Sequence, residues 1–325
     1  MPPQVENTVQ PIAVISGGLD YELDDIAKTE ADVLAALESL RYRPTRVCLR
    51  DPGFADALQE IGASVCFIVD PFYFDASQDG AREVADVRVL LETLGLPYTG
   101  SSCSAAVLCR DKIQSKERFG TLGIDTPRGL QPPQNPEGSW FQHAFLTLGE
   151  PLILKPRYEG SGVGVSLCAR TEDLRERIGS LSAKFPDLMV EEYVDGIEVT
   201  VGVVGTGDAA RALPPVELEL LESQIYDYET KRNPDSVNRH VPARVPDDVR
   251  RWLETQAKQI HVSFGCSGLT RIDFRVAGTR LVAIEINASP SMSRDEHIPR
   301  SVRALGWRYE DLIALVVGDA MRKSS

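Results

Sequence analysis

The chain has 325 residues, 42% of them hydrophobic and 26% charged, and carries a formal net charge of −13. That length supports two or three domains with a sizeable core, and that charge excludes nonspecific binding to nucleic acid or to an anionic membrane, although a local basic cleft can still hold phosphates. The six cysteines (Cys48, Cys66, Cys103, Cys109, Cys168 and Cys266) are scattered with no C-x-x-C pair, which favours reduced thiols over a disulfide framework or a zinc site.

The first residues carry neither a basic n-region nor an apolar h-region, and no later run is apolar for long enough to span a bilayer. A soluble cytoplasmic protein is expected. Ile12-Ala-Val-Ile15 reads as a buried strand running into Gly17-Gly18, and Ile26, Val33, Leu34, Leu37 and Leu40 keep helical spacing. Thr45 to Leu49 and Ala63 to Val69 read as further strands, and Val84, Val87, Leu90, Leu91 and Leu94 as a second helix ended by Gly95-Leu-Pro97. Strands alternating with helices predict an open parallel sheet over the first hundred or so residues. The Gly-Gly turn is weak evidence for a ligand, because tight turns need glycine anyway.

Ser101-Ser102 can cap a helix carrying Ala105, Leu108 and Ile113, with Asp111-Lys112 inside it, and Gln131 to Gly138 is a loop by composition. Lys155-Pro156 ends a strand and leads into Glu159-Gly-Ser-Gly-Val-Gly164, with another strand over Val163 to Ala169. Closely spaced glycines let backbone N–H groups converge on an anion, with Lys155 at the entrance; a flexible hairpin tip is the alternative. The spacing is not the dinucleotide fingerprint, and no Gly-Lys-Ser/Thr makes it a P-loop. A helix follows from Thr171.

Leu188 to Val194 and Ile197 to Val204 read as a strand pair joined at Asp195-Gly196, and the polar, aromatic-studded stretch from Tyr226 to His240 as either a lid or a disordered loop. Pro246-Asp-Asp opens a helix through Trp252 and Ile260, and Tyr309 to Met321 closes the chain as another. Between them, Thr270 to Val276 and Arg280 to Asn287 alternate polar and apolar residues, as half-buried strands do. Glu285 and Asn287 should face one way, Ile284 and Ile286 the other. Closed symmetrically about Thr279, the hairpin sets Asp273 opposite Glu285 and Arg271 opposite Asn287. Carboxylates directly across a sheet repel, so a cation between them is expected, and two carboxylates with an amide suit Mg²⁺. The alternative is a surface hairpin whose polar face is merely solvated.

These stretches resemble the ATP-grasp D-alanine–D-alanine ligases: Lys155-Pro with Glu159 to Gly164, Glu191-Glu-Tyr-Val with Glu198-Val-Thr-Val, Tyr226-Asp-Tyr-Glu-Thr-Lys231, Arg271-Ile-Asp273, and Glu285-Ile-Asn287-Ala-Ser-Pro, with Pro97-Tyr-Thr-Gly100 and Asp111-Lys112 as the link into a middle domain. The resemblance runs over nearly the whole chain. It implies an α/β chain, α+β in its ATP-binding part, with an ATP-grasp fold behind an N-terminal open parallel-sheet domain. The domains would be 1–100, 101–187 with the glycine-rich loop, and 188–325 with lid and metal site. It implies an ATP-dependent, ADP-forming carboxylate–amine ligase working through an acylphosphate. By matching position, Lys112 and Lys155 would hold the α- and β-phosphates beneath the loop at Ser161. Glu191 would meet the adenine amino group, the Val194 backbone the ring, and Glu198 the ribose hydroxyls. Asp273, Glu285 and Asn287 would bind two Mg²⁺ ions, with Mn²⁺ able to substitute. Lys231 would reach the γ-phosphate as the lid closes, and Arg271 would stabilise the charged intermediate.

The departures from the family pattern cluster where the amino-acid substrates belong. Glu22 matches the glutamate that holds the first substrate's ammonium, but Ile26 stands where the family has serine. Asp70 to Asp75 replaces its His-Gly…Gly-Glu-Asp-Gly segment. Arg232 replaces the tyrosine after the lid lysine, Ser291 an oxyanion-holding glycine, and Glu296-His297 the Ser-Leu that receives the second substrate's carboxylate. A carboxylate receives a carboxylate poorly, so Glu296 suggests another or a cationic acceptor, or else points away. The expectation is therefore small-molecule carboxylate and amine substrates other than two D-alanines. A divergent D-alanine–D-alanine ligase is the alternative within the class, and a nucleotide-binding sensor without turnover the one outside it. The family also implies a homodimer.

Overall fold

The computed structural model describes residues 10–17, 23–76, 82–221 and 223–323. Strand β1 (Pro11–Ser16) lies between β2 (Arg43–Cys48) and β3 (Val65–Ile68), all parallel. Its unbroken apolar run is that of a strand covered on both faces. Ile12 and Val14 pack with α1 (Leu23–Ser39) on one side, and Ala13 and Ile15 pack with α2 (Phe54–Glu60) on the other. A two-stranded antiparallel hairpin follows, β4 (Phe72–Ala76) and β5 (Arg82–Asp86), and then α3 (Val87–Leu94). The helix expected to include Val84 begins only at Val87. The Asp86 carboxylate caps it by accepting from the Arg88 N–H at 2.9 Å, and Val84 is left in the strand.

The single helix expected around Asp111 is two, α4 (Cys103–Arg110) and α5 (Lys112–Thr121). Asp111 divides them, because its carboxylate accepts from the Ile113 and Gln114 N–H groups and starts a new helix. The second sheet, in the order β6 (Gly129–Leu130), β9 (Leu188–Glu192), β7 (Leu152–Pro156), β8 (Ser166–Cys168), is antiparallel, with α6 (Gly138–Leu148) and α7 (Thr171–Leu181) sharing its core.

The third sheet runs β13 (Val237–His240), β12 (Val216–Leu220), β10 (Ile197–Val204), β14 (Leu269–Ala277), β15 (Arg280–Asn287), with β11 (Arg211–Ala212) beside β10. The expected pairing of β9 with β10 does not occur; the two strands belong to different sheets. Gly196 shows why the chain passes on: a Cβ there would stand 2.4 Å from the Val276 carbonyl oxygen, so the backbone runs flush against β14. The stretch from Tyr226 to His240 carries regular structure, with α8 (Tyr228–Arg232) followed by a 3₁₀ turn and β13. The remaining helices are α9 (Asp247–Ser263), α10 (His297–Ala304) and α11 (Tyr309–Lys323).

In β10 and β14 alternation sorts the side chains. Val199, Val201, Val203, Ile272 and Phe274 face a core shared with α4, α5 and α9, while Glu198, Thr200, Arg271, Asp273 and Arg275 take the opposite face. That face looks toward the second sheet. The last helix, α11, returns to the first sheet, where Leu312, Ile313, Val316 and Val317 join the core of β1 and α1.

On α9, His261 is fully buried; its imidazole meets the Thr270 hydroxyl at 2.8 Å and the Gly205 carbonyl oxygen at 3.0 Å. The carbonyl requires an N–H at Nε2, so Nδ1 accepts from Thr270 and the ring is neutral. Burial pushes its pKa down to about 4. A folded pKa below the unfolded value means that the unfolded chain takes up the proton first as pH falls. This contribution to stability is complete above about pH 6.5 and is lost between there and about pH 4. At pH 5 the expected loss from His261 is about 2 kcal/mol, at about 1.4 kcal/mol per pH unit. Urea unfolding at pH 7.5 and pH 5 should show a shallower fall for His261→Gln than for wild type; equal falls would remove the assignment.

Candidate active site

One cleft between the second and third sheets brings together Lys112, Lys155, Glu191, Val194, Glu198, Lys231, Asp273 and Glu285. Its floor on the second-sheet side is an ion cluster. Glu191 on β9 is buried, and its carboxylate bridges Lys155 Nζ at 2.7 Å and Lys116 Nζ at 2.6 Å. Burial opposes ionisation of Glu191, but the two ammonium groups outweigh it and hold the carboxyl below its ordinary range. Lys116 was not singled out in the sequence, although it sits four residues after Lys112, on the same face of α5.

Lys112, also buried, donates to the Glu159 carbonyl oxygen and lies 3.9 Å from Glu285. Burial lowers its pKa, and Glu285 partly offsets that. The root of the glycine-rich loop is fixed to α5 by Arg157, whose guanidinium grips Asp111 at 2.5 and 2.8 Å. Burial works against the charged carboxylate, yet Arg157 brings the Asp111 pKa down to about 2. One side chain thus caps α5 and anchors the loop.

Across the cleft, Asp273 pairs with Glu285 and Arg271 with Asn287, the register expected from the sequence. It arises differently from the symmetric hairpin. Near the turn Ala277 pairs with Arg280 and Phe274 with Ala283, and a bulge then shifts the register by one. Ile284 consequently turns into the cleft, whereas Ala283 takes the core position beside Ile286. The expectation that Ile284 faces the core is corrected by that bulge.

The polar face is tightly coupled. Arg271 Nε and Nη2 donate to the two Asp273 oxygens at 2.9 and 3.0 Å, and the Thr200 hydroxyl donates to Asp273 at 2.6 Å. Burial alone would raise the Asp273 pKa, but Arg271 and Thr200 bring it below the usual carboxylate range. Glu198 pairs with Arg275 at 2.8 Å, yet burial raises its pKa, and repulsion from Asp273 and Glu285 adds to the rise. A divalent cation between Asp273 and Glu285 would offset that repulsion. Among the described residues no three His, Cys, Asp or Glu side chains are placed to enclose a metal. The donors are two carboxylates and an amide, too few for a closed site but suited to Mg²⁺ that completes its shell with phosphate oxygens and water. The residues present therefore fit magnesium. Thr200 was missed as a partner, although it lies two residues from Glu198 on its own strand.

The glycine-rich loop meets the start of α8. Ser161 adopts φ +51°, uncommon for a residue with a Cβ, and a Cβ on Gly162 would lie 2.7 Å from the backbone of Asp227 and Tyr228. Lys231 stands with its Nζ 5.0 Å from the centroid of the Tyr226 ring. Arg232 is exposed and turned back onto its own helix, with Nη1 3.0 Å from the Tyr228 hydroxyl.

Glu22 lies outside the described residues. Ser291 is exposed, with Oγ 3.5 Å from the Thr29 hydroxyl, and the Asn287 side-chain oxygen accepts from the Ser289 N–H at 2.8 Å. Glu296 precedes α10 with its side chain 33% exposed, and its carboxylate is 3.7 Å from His297 Nε2. His297 is buried. Arg88 on α3 was not anticipated: it is buried and donates to Asp86 and Ser289, tying the first part of the chain to the segment after Asn287.

Residues 129–318 match the family model described as D-ala D-ala ligase C-terminus. The D-alanine–D-alanine ligase of Cupriavidus taiwanensis is 32% identical over 311 residues, 95% of this chain and 91% of that protein. The one from Bordetella avium is 33% identical over 315 residues, 96% of this chain and 95% of that protein. Among solved structures, D-alanine–D-alanine ligase from Bacillus anthracis complexed with ATP superposes with a TM-score of 0.78 at 21% identity, covering 97% of this chain and 98% of that one. VanG D-Ala:D-Ser ligase from Enterococcus faecalis does so with a TM-score of 0.75 at 19% identity, covering 96% and 99%. Those two likenesses show the fold: ATP-grasp, with a parallel sheet in the N-terminal part and antiparallel sheets elsewhere. Among the described residues no helix is long and apolar enough to cross a membrane. The chain belongs to the D-alanine–D-alanine ligase family of the ATP-grasp superfamily and is an ATP-dependent, ADP-forming ligase.

Proposed function

We propose that this protein joins two amino acids through an acylphosphate, with D-alanine as the first substrate to test in both positions. The observation that carries this reading is the convergence of the two phosphate-facing lysines, the adenine and ribose glutamates and the metal carboxylates in one cleft, in a chain whose relatives over 95% of its length are D-alanine–D-alanine ligases. Lys112 and Lys155 would hold the α- and β-phosphates, with Ser161 in the loop above. Glu191 and the Val194 backbone would hold the adenine, and Glu198 the ribose. Asp273, Glu285 and Asn287 would hold two Mg²⁺ ions or, in their place, Mn²⁺. Bound there, magnesium supplies neutralisation of the phosphate charge. The domains proposed are 1–100, 101–187 and 188–325, and α11 packing on the first sheet supports closure of the third on the first.

A carboxylate oxygen of the first amino acid attacks the γ-phosphorus, the bond to the β-phosphate oxygen breaks, and ADP leaves. The deprotonated amine of the second amino acid attacks the acyl carbon, the C–O bond to phosphate breaks, and inorganic phosphate leaves with the electron pair. Lys231 follows the γ-phosphate and Arg271 offsets the oxyanion; positioning and charge supply most of the catalysis in such transfers. The lid, already in contact with the glycine-rich loop, excludes water from the acylphosphate.

The departures at Arg232, Ser291, Glu296 and His297 suggested another substrate, and the relatives give that reading no support. Glu296 is half-exposed and turned toward His297, so its carboxylate need not oppose that of an acceptor. D-alanine with ATP and Mg²⁺ should release ADP and give a product of dipeptide mass. ADP release only with some other amino acid or amine would overturn the D-alanine assignment and leave the ligase chemistry.

A further inference from the structure

Strand β15 ends at Asn287, and the pairing of Asn287 with Arg271 is the last rung of its ladder with β14. Past that rung the sheet no longer directs the chain. What orients the Asn287 amide is a turn, in which the Ser289 N–H donates to the Asn287 side-chain oxygen at 2.8 Å. An amide oxygen has two lone pairs, so one takes this bond and the other stays open to a cation. Such a turn is only as fixed as the residue that closes it.

Ser289 is held from the first part of the chain. Its hydroxyl accepts from Arg88 Nη2, and Arg88 is 2% exposed at the start of α3. Asp86 sets that guanidinium by accepting from Nη1 at 2.7 Å. Further along the segment the contacts with α1 lie nearer the solvent. Lys28 pairs with Asp295, both side chains more than half exposed, and Ser291 is exposed beside Thr29. A charged donor shielded from water makes the stronger bond. Keeping a guanidinium out of water is also costly. The cap of α3 does not call for one, because Asp86 accepts there from the backbone N–H of residue 88. Ser289 is the contact that needs the arginine.

We propose that Arg88 is a positioning residue for the divalent cation: through Ser289 it fixes the direction of the Asn287 amide, so that metal affinity depends on the contact between α3 and the segment after β15. This rests on the assignment of Asp273, Glu285 and Asn287 to the metal and deepens it. The chain of bonds runs from Asp86 through Arg88 and Ser289 to Asn287, and it joins the first sheet's domain to the far end of the nucleotide cleft.

The test is a metal titration. Mn²⁺ is titrated calorimetrically into enzyme held in excess over a non-hydrolysable ATP analogue, for wild type, Arg88→Met, Ser289→Ala, the double variant and Glu285→Gln. Partners that orient a metal ligand are worth about 10- to 100-fold in affinity, and Arg88→Met and Ser289→Ala should each weaken Mn²⁺ binding by about 10-fold. The double variant should lose no more than the weaker single variant, since both substitutions break one link. Affinity for the analogue without metal should stay at the wild-type value. Ser289→Thr, which keeps the hydroxyl, should bind Mn²⁺ as wild type does. If Arg88→Met does not fold, the contrast between Ser289→Ala and Ser289→Thr decides. A purely structural role would lower resistance to urea and leave Mn²⁺ affinity where it was, and that result overturns the proposal. Losses that add in the double variant overturn it too, because the two residues then act independently. Equal weakening of the metal-free analogue means general damage to the cleft and likewise overturns it. Glu285→Gln separates the two levels. If it binds Mn²⁺ as wild type does, the metal assignment itself fails and the positioning role falls with it. If it binds weakly while the Arg88 and Ser289 variants do not, only the positioning role is lost.

Discussion

Glu285→Gln is expected to lower magnesium-supported turnover by about 10³-fold or more while leaving the fold intact. The substitution keeps the side-chain shape and the β-bulge that aims it, and removes only a charge. The Asp273 oxygens are occupied by Arg271 and Thr200, so Glu285, 3.9 Å from Lys112, is the freer of the two carboxylates assigned to the metal. An ion with one or two protein carboxylates depends strongly on each. Steady-state ADP release across a magnesium titration reads the effect, with ATP affinity measured in the absence of metal as the control. That affinity should hold or improve, because a negative charge beside the phosphates has gone. Glu219→Gln, on the opposite face of β12 with His240 and Arg244, should leave turnover near wild type. Full activity of Glu285→Gln at wild-type magnesium would remove the metal assignment.

What the sequence shows of this site depends on how local the determining physics is. The hairpin face was legible because alternation along a strand is a two-residue property, and Arg271, Asp273, Glu285 and Asn287 follow from it. The bulge was not, since Ile284 differs from its neighbours only in where the partner strand slips, and a one-residue slip leaves no trace in composition. The break at Asp111 left a local signal, an aspartate able to cap, but the apolar spacing on either side read through it. The separation of β9 from β10 could not be read: Asp195-Gly196 is a good turn sequence, and only the backbone of Val276, eighty positions away, uses that glycine otherwise. Lys116 was invisible for the same reason: it is an ordinary charged residue until Glu191, on a strand distant in sequence, gives it a task. Motif resemblance filled part of this gap at Lys112 and Lys155. It had nothing to say about Lys116, which stands in none of the matched motifs.

The Glu191 cluster is where stability and nucleotide binding should separate most sharply. The group holds one buried carboxylate between a buried lysine, Lys155, and Lys116, whose side chain is 11% exposed. Glu191→Ala leaves two ammonium groups with no counter-charge, and stranding buried charge in this way costs about 3–5 kcal/mol. Lys155→Met leaves Glu191 paired with Lys116, a balanced couple, so its loss of stability should be near 1 kcal/mol. For ATP the order reverses. Lys155 faces the cleft, and removing a charged donor to phosphate should weaken ATP binding by about 10- to 100-fold. Urea unfolding without nucleotide and calorimetric ATP titration read the two quantities separately. The double variant Glu191→Ala with Lys155→Met strands one charge instead of two and should be more stable than Glu191→Ala alone, a coupling that additive effects cannot produce. If Lys155→Met unfolds as readily as Glu191→Ala, the lysine is structural and its assignment to phosphate is lost. If Glu191→Ala is as stable as wild type, the three charges are not balanced against one another, and Glu191 is then kept for adenine alone.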